Sequence, residues 1–507
     1  MKILHGRDAR AIQLAQQRQG SQDGLDRLLA QEGLPIPSGG TAKQLDGSPA
    51  SDLQPLWEHQ EHSRHIMPWE ETVPTAHAIN EQELISRIAW RIMPMVIGLY
   101  LCAIIDRSNI GFAKLQMIDE LHLSEVGFAF GSSLFFFSYV AVEIPSALAA
   151  VRFGARIWFA RIAFTWGLAT VLLAFSNSGS TFYVIRFLLG AAEGGLYPAV
   201  IFYLTLWFPE RHRPRAFGLL TLGSAFGNML SALIAGPLLD LHGLAGLSGW
   251  QWVFIVTGVP PILLSLVVLK FLPSKPAEAG FLSATEKEWL STSRTEPEHG
   301  GNPLGAMLDP RVLAMAAIYS LINISLFGVI YWLPTVIKGF GVSGTQNGLL
   351  NAVPWALAAV LLFTLPRRLQ TETAIITAAA IFTFVGLCSF AAATMLPSDS
   401  LRFVALAIGT PCISVLFPCF WFFPARIFKG SRGAAGIAVI NTIGLLGGFV
   451  GQNLMPSVSQ AVGSPVGAMI VPAACLGMLC LVCGLRSALA TGRRPLPAVS
   501  SGNAHDL

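Results

Sequence analysis

The chain has 507 residues, 53% of them hydrophobic and only 12% charged, about half the charged fraction of a soluble globular domain. That composition excludes a water-soluble fold, and a net charge of +4 scattered mainly through short loops excludes a nucleic-acid surface. About twenty of the 62 charged side chains fall within residues 1–87, and the later apolar runs are long enough to cross a hydrocarbon core about 30 Å thick.

Residues 1–85 are rich in Gln, Ser, Gly, Pro and charge, and read as a disordered cytoplasmic tail. No apolar run in Met1 to Asn80 qualifies as a cleavable signal, so insertion is expected to use the first span itself. Glu81 to Arg91 predicts a short amphipathic lead-in helix lying on the membrane surface. Twelve spans follow. The first six are expected near 92–112, 125–150, 155–175, 180–207, 215–239 and 251–272. After a cytoplasmic central loop at 273–310, the rest are expected near 312–337, 346–366, 372–395, 401–424, 433–456 and 465–489. The domain plan is therefore an N-terminal half at 86–272, a C-terminal half at 311–490 and a short cytoplasmic tail at 491–507.

Alternate connections carry Arg152 and Arg156, then Arg211, Arg213 and Arg215, then Arg367 and Arg368, then Arg426, Lys429 and Arg432. The opposite loops hold little beyond Lys114, Lys338 and Arg402, so both termini are expected in the cytoplasm. The chain also repeats itself: Trp207-Phe208-Pro209-Glu210-Arg211 returns as Phe422-Phe423-Pro424-Ala425-Arg426, each at the end of its half's fourth span. Two parallel six-helix halves with a midplane substrate site are a plan of secondary transporters. All seven cysteines lie in apolar runs, where packing is their expected role, and Cys480 and Cys483 form a CxxC without a redox context.

An ionisable residue at the centre of a span costs about 2.5–3.5 kcal/mol on insertion scales and calls for a function. Asp106 and Arg107 lie in the first span, Glu143 in the second, Arg186 and Glu193 in the fourth, while the second half offers neutral Asn323, Asn351 and Asn441. Arg186 and Glu193 are about 10.5 Å apart along one helical face, too far to touch, so water, a partner such as Asp106, or substrate must lie beside them. Desolvation disfavours a carboxylate's charge but leaves a guanidinium charged. Glu193 is thus a candidate proton carrier and Arg186 a candidate carboxylate fork, against the alternative of a static buried ion-pair network. Gly190 and Gly194 form a GxxxG suited to close packing. Arg152 and Arg156 could latch onto Glu143 or onto a helix end, or serve only to set topology.

Together, Asp106-Arg107-Ser108-Asn109-Ile110-Gly111, Glu143-Ile144-Pro145-Ser146 leading to Arg152-Phe153-Gly154-Ala155-Arg156, Arg186 with Glu193, Trp207-Phe208-Pro209 and Trp252-Val253-Phe254-Ile255 carry a family resemblance. Over about residues 88–490 the chain resembles the major facilitator superfamily, and within it the anion:cation symporter branch of tartrate, phthalate, aldonate and hydroxyaromatic-acid carriers. The resemblance implies an all-α membrane protein of twelve helices, with Asp106 and Glu193 carrying protons and Arg107 and Arg186 facing a substrate carboxylate. By similar placement it also implies Tyr139, Ser224, Asn228, Trp421 and Asn441 as substrate-lining, with Glu143, Arg152 and Arg156 as gating residues. It departs from the branch at Ala147 and Ile157.

The expected function is proton-coupled import of a small organic anion (a sugar acid, dicarboxylate or aromatic acid) by alternating access, through a multi-pass protein of the plasma (inner) membrane. Protonation would remove the carboxylate competing for Arg186. No cofactor or metal is expected beyond a coupling ion, H+ or Na+, and a monomer embedded in lipid suffices. Trp421, Phe420, Phe422 and Tyr139 tilt the cargo slightly towards an aromatic acid. The alternatives are a same-fold carrier of a neutral sugar or drug, and a sensor without net flux. An enzyme is excluded by the lack of HExxH, GxSxG or a His pair within a span.

Overall fold

Among the described residues, twelve helical spans are long and apolar enough to cross a membrane. The computed structural model describes residues 80–293, 309–365, 368–369, 371–428 and 430–491, with no strand among them. All belong to the unit His77–Leu507. The expected tail up to residue 79, residues 294–308 of the central loop and the tail after 491 lie outside the described residues.

In chain order the helices of the first half are α1 (Glu81–Glu120), α2 (Glu125–Phe153), α3 (Ala155–Leu173), α4 (Gly179–Glu193), α5 (Leu196–Trp207), α6 (Arg213–Leu239) and α7 (Gly249–Phe271). A short α8 (Ala284–Thr292) precedes the second half: α9 (Pro310–Lys338), α10 (Gly344–Thr364), α11 (Glu372–Met395), α12 (Asp399–Ile427), α13 (Gly430–Val462) and α14 (Ile470–Thr491). Helices α4 and α5 together make the fourth span. With an even number of spans, both chain ends emerge on one side, here the terminus side. The opposite side is the far side.

Three elements differ from the sequence-based expectation. The lead-in helix does not lie apart on the surface: it is the start of α1, because Leu84, Ile85 and Ile88 carry the buried face of the span back to the Asn80 cap. Forty residues make a helix about 60 Å long, so its first turns project from the membrane on the terminus side. There Glu81 pairs with Arg211 and His212, and Arg87 with Glu286 of α8. At its other end α1 continues to Glu120, which places Lys114 inside the helix rather than in a loop. The fourth span, expected as one helix, breaks after Glu193, where Gly195 takes φ +86°, a left-handed conformation that glycine reaches without a side-chain clash.

The first part of the central connection folds onto the first half. Leu282 and Leu290 are buried, Phe281 stacks on Trp207 at 6.1 Å, and Tyr203 donates a hydrogen bond to the Pro273 carbonyl at 2.9 Å.

Between the halves, α2 meets α13 and α6 meets α10. Asn453 donates to Ser133 at 2.7 Å, and Asn441 donates to Glu143 at 2.8 Å. Glycines let backbones meet on the far side: a Cβ on Gly236 would fall 2.6 Å from the Gly348 Cα, and one on Gly111 would fall 2.9 Å from the Tyr331 carbonyl oxygen. Just beyond, Asp240 after α6 accepts from the Gly344 and Thr345 N–H groups and the Thr345 hydroxyl at 2.7–2.8 Å. An anion of one half thus occupies the N-terminus of a helix of the other, where the macrodipole favours it.

Partial burial pushes the Asp240 carboxyl up, but the Thr345 and Gly344 hydrogen bonds and the Lys338 charge outweigh it and hold it below the usual carboxylate range. A depressed value stabilises the clasp fully above the unfolded value of about 3.9, and the contribution is lost as pH falls through the folded value. Far-side labelling of an Ala235→Cys protein by an impermeant thiol reagent, divided at each pH by that of an exposed His242→Cys protein so that the thiolate fraction cancels, should therefore stay flat across neutral pH and rise only below about pH 4. Asp240→Asn should raise it about fivefold at neutral pH, a solvent-discounted capping interaction of about 1 kcal/mol.

Candidate functional site

The ionisable residues of the first half converge around α2. Arg107 of α1 reaches Glu193 at the end of α4, donating from Nε at 2.9 Å and from Nη2 at 2.5 Å to the same carboxylate oxygen, Oε1. Glu193 is fully buried and its Oε2 has no hydrogen-bond partner, whereas the Arg107 side chain keeps 16% of its surface exposed. The Arg107 guanidinium lies 4.9 Å over Tyr139 and 5.5 Å over Phe135. Both rings belong to α2.

Arg186 has a different setting from the one expected. It is buried, donates from Nη2 to the Ser132 carbonyl at 2.9 Å and lies 5.2 Å over Phe135, with Nε unpartnered. The carboxylate expected to compete for Arg186 is bonded to Arg107 instead. Residue 186 stands two turns away on the same helix, whereas α1 brings Arg107 alongside Glu193. Both guanidiniums lie within 5.5 Å of the Phe135 ring, but Arg186 is buried whereas the Arg107 side chain keeps exposed surface.

Asp106, next to Arg107 in sequence, points into the first half. Its Oδ1 accepts from the Thr170 hydroxyl at 2.8 Å and from Asn109 at 3.5 Å, Asn109 in turn donates to Thr257 at 2.8 Å, and Oδ2 is unpartnered. Neighbouring helical positions are about 100° apart, so adjacent charges face different surroundings. Asp106 still lies within electrostatic reach of Arg186 and Glu193.

The other expected lining residues divide. Tyr139 is buried beneath Arg107. Trp421, from α12, packs edge-on against Tyr319 of α9 at 5.0 Å, and Phe420 stacks on Tyr319 at 5.0 Å. On the first half Tyr100 and Tyr197 pair at 5.8 Å, within electrostatic reach of Tyr319. Phe422 is not part of this group: it packs against Phe423 and beneath Arg426. Ser224 and Asn228 do not reach either arginine. The Ser224 hydroxyl donates to the Thr221 carbonyl, while Asn228 accepts from Ser108 at 2.8 Å and donates to the Ser224 carbonyl.

Glu143 and Asn441, expected in separate roles, bond to each other. Glu143 accepts from Asn441 at 2.8 Å and from the Thr442 hydroxyl at 3.3 Å. It forms no latch with Arg152 or Arg156. Nine residues of helix, about 13.5 Å, separate Glu143 from Arg152. The Arg156 backbone N–H donates to the Ser274 hydroxyl at 3.2 Å, which fixes the start of α3.

Sequence and fold match a large transporter family along most of the chain. The sequence pattern described as the Major Facilitator Superfamily covers residues 96–452. The chain belongs to the Major Facilitator Superfamily. Its relatives in that superfamily include a protein of Agrobacterium vitis named as a tartrate transporter, 37% identical over 397 residues, 77% of this chain and 88% of that protein. A quinolone resistance transporter of Acinetobacter baumannii is 36% identical over 378 residues, 73% of this chain and 87% of that one. A bacterial homologue of the human lysosomal transporter Spinster shares the fold, with a TM-score of 0.61 at 17% identity, over 80% of this chain and 98% of that one. The protein is accordingly a multi-pass membrane transporter of small molecules, and this facilitator and its relatives are not enzymes.

Several residues of the site escaped sequence reading. Lys114 is buried, pairs with Glu125 at 2.9 Å and sits 3.6 Å over Trp332 of the other half. Its position seven residues after Arg107 marks the same helical face, a signal hidden by ending the span at 112. Thr170, Ser132 and Thr442 carry no sequence signal, since a hydroxyl or a carbonyl in a span is ordinary.

The pair depends on close packing of α4 against α2. A Cβ on Gly190 would lie 2.2 Å from both the Phe135 carbonyl oxygen and the Ser138 hydroxyl oxygen. Gly190→Ala should lower thermal stability in detergent by about 1–3 kcal/mol, the range for overpacking. Gly218→Ala, whose Cβ would meet nothing within 4 Å, should hold it or raise it by up to about 1 kcal/mol, since alanine is the better helix former.

Proposed function

We propose that this facilitator is a proton-coupled importer of a small organic carboxylate, oriented with its terminus side in the cytoplasm. The observation that carries the reading is the Arg107–Glu193 pair: a guanidinium on a side chain that keeps exposed surface, held by a buried carboxylate that has a free oxygen. Protonating Glu193 at Oε2 discharges the carboxylate, and Arg107 then needs another anion, because an uncompensated buried charge costs several kcal/mol. A substrate carboxylate supplies it, with bidentate geometry suited to guanidinium. Asp106 and Arg186 balance the charge behind the pair.

Coupling follows from exchange at one arginine. With neither proton nor substrate, Glu193 holds Arg107; with both, the substrate does. In either case the cluster can cross between the two faces without an unpaired charge. Alternating access then needs the far-side contacts at Asp240 and Gly236 to open while the terminus side closes. The arginines of the connections at 152–156 and 211–215 support the orientation.

For the cargo, the tartrate name of an Agrobacterium vitis relative supports a small hydroxylated dicarboxylate. A second reading, a drug carrier, is favoured by the quinolone resistance name of the Acinetobacter relative and by the aromatic groups at Tyr319 and Tyr100. The two readings separate in proteoliposomes given labelled tartrate or a labelled quinolone.

Glu193→Gln should exchange labelled substrate across the bilayer yet fail to accumulate it under an inward proton gradient in sodium-free buffer; unimpaired accumulation would remove the proton role. Arg107→Lys keeps the charge but loses the fork, and should raise the half-saturating concentration about tenfold, equivalent to ~1.4 kcal/mol. Arg186→Lys should do less to that concentration, because Arg186 is buried and already donates to the Ser132 carbonyl.

A further inference from the structure

Helix α3 turns one stripe away from the rest of the protein: Ile157, Phe164 and Leu168 are all exposed, and Arg161 stands between them at helical spacing, half-buried. Residue 161 is six residues into the helix, about 9 Å along its axis. A guanidinium on a lipid-facing stripe at that depth needs an anion or water within reach. Among the described residues, none of Arg152, Arg156 and Arg161 has a carboxylate partner.

These arginines are not loose surface charges. The Arg161 guanidinium lies 4.1 Å over the Trp158 ring, Trp158 stacks on Phe153 at 5.6 Å and 17°, and Arg152 lies 5.6 Å over Phe153. The Trp158 indole is fixed by its N–H, which donates to the Ser146 hydroxyl at 3.1 Å. The result is a cation–aromatic–aromatic–cation column at the terminus-side edge of the first half. Arg156, exposed, stands in the first turn of α3 beside it, where the N-cap Gly154 offers no side chain to the backbone N–H groups. Leu148, Val151 and Phe153 on α2 extend the exposed apolar surface on the other side of the loop.

We infer that this column binds the phosphate headgroup of an anionic phospholipid in the terminus-side leaflet. Three guanidiniums without carboxylates give the charge complementarity, planar forks match phosphate oxygens bidentately, and stacking holds two of them in place before binding. The exposed apolar residues on both sides accept acyl chains, which a free phosphate lacks. This site is separate from Arg107 and Glu193 and does not depend on the cargo.

The test uses the full-length protein in phosphatidylcholine vesicles containing a minor fraction of spin-labelled phosphatidylglycerol or spin-labelled phosphatidylcholine, with the motionally restricted fraction of each label read by electron spin resonance. The wild type should select phosphatidylglycerol, and Arg161→Gln should lower that selectivity about fivefold, the equivalent of ~1 kcal/mol per basic side chain near the surface. The triple variant Arg152→Gln, Arg156→Gln, Arg161→Gln should abolish it, and Trp158→Leu should weaken it with all charges kept. Arg311→Gln with Arg368→Gln, terminus-side arginines of the other half, should leave it unchanged. Wild-type selectivity in the triple variant, or an equal loss in the Arg311 and Arg368 control, overturns the inference. Displacement by inorganic phosphate beyond the effect of chloride at equal ionic strength also overturns it, in favour of a free-anion site.

Discussion

Glu193 has no exposed surface, and only one of its two oxygens is hydrogen-bonded. A buried carboxylate in that state needs its guanidinium partner, and the surrounding structure is arranged to supply one. The glycines at 190 and 194 bring α4 against α2, the helix breaks immediately afterwards at Gly195, and α1 delivers Arg107 to the end of α4. Replacing either member alone strands a charge in a low-dielectric interior, a penalty of about 3–5 kcal/mol. In the exchange proposed above, a proton and an anion relieve that penalty in turn.

The division of polar groups between the halves suits such an exchange. Among the described residues the buried charges lie in the first half, on α1, α2 and α4. Across the interface the bonds use neutral donors: Asn453 to Ser133, Asn441 and Thr442 to Glu143, and backbone N–H groups to Asp240. Such bonds contribute about 1 kcal/mol each and can be traded for water. The halves can therefore part without separating a buried ion pair.

Much of this was legible in the residues. Long apolar runs, the single internal repeat at Trp207 and Phe422, and arginines in alternate connections give a twelve-span plan before any coordinates. The same reading singled out Asp106, Arg107, Arg186 and Glu193, because a charge in a span is costly wherever it points. Pairing was not legible. Helical periodicity places Arg186 and Glu193 on one face, but it cannot show that α1 arrives with Arg107, or that Asp106 turns towards Thr170. The break at Gly195 and the burial of Lys114 were missed for a related reason. Both depend on a neighbouring helix, Ser146 of α2 in one case and Trp332 of α9 in the other.

The most direct measurement is the internal pH of proteoliposomes carrying a trapped dye, as sugar acids, tartrate and aromatic acids are added outside in sodium-free buffer. Proton-coupled exchange at Arg107 predicts acidification by at least one acid, and its loss when Glu193 is replaced by Gln. Entry of a labelled acid with no acidification, or acidification that survives Glu193→Gln, would contradict the account.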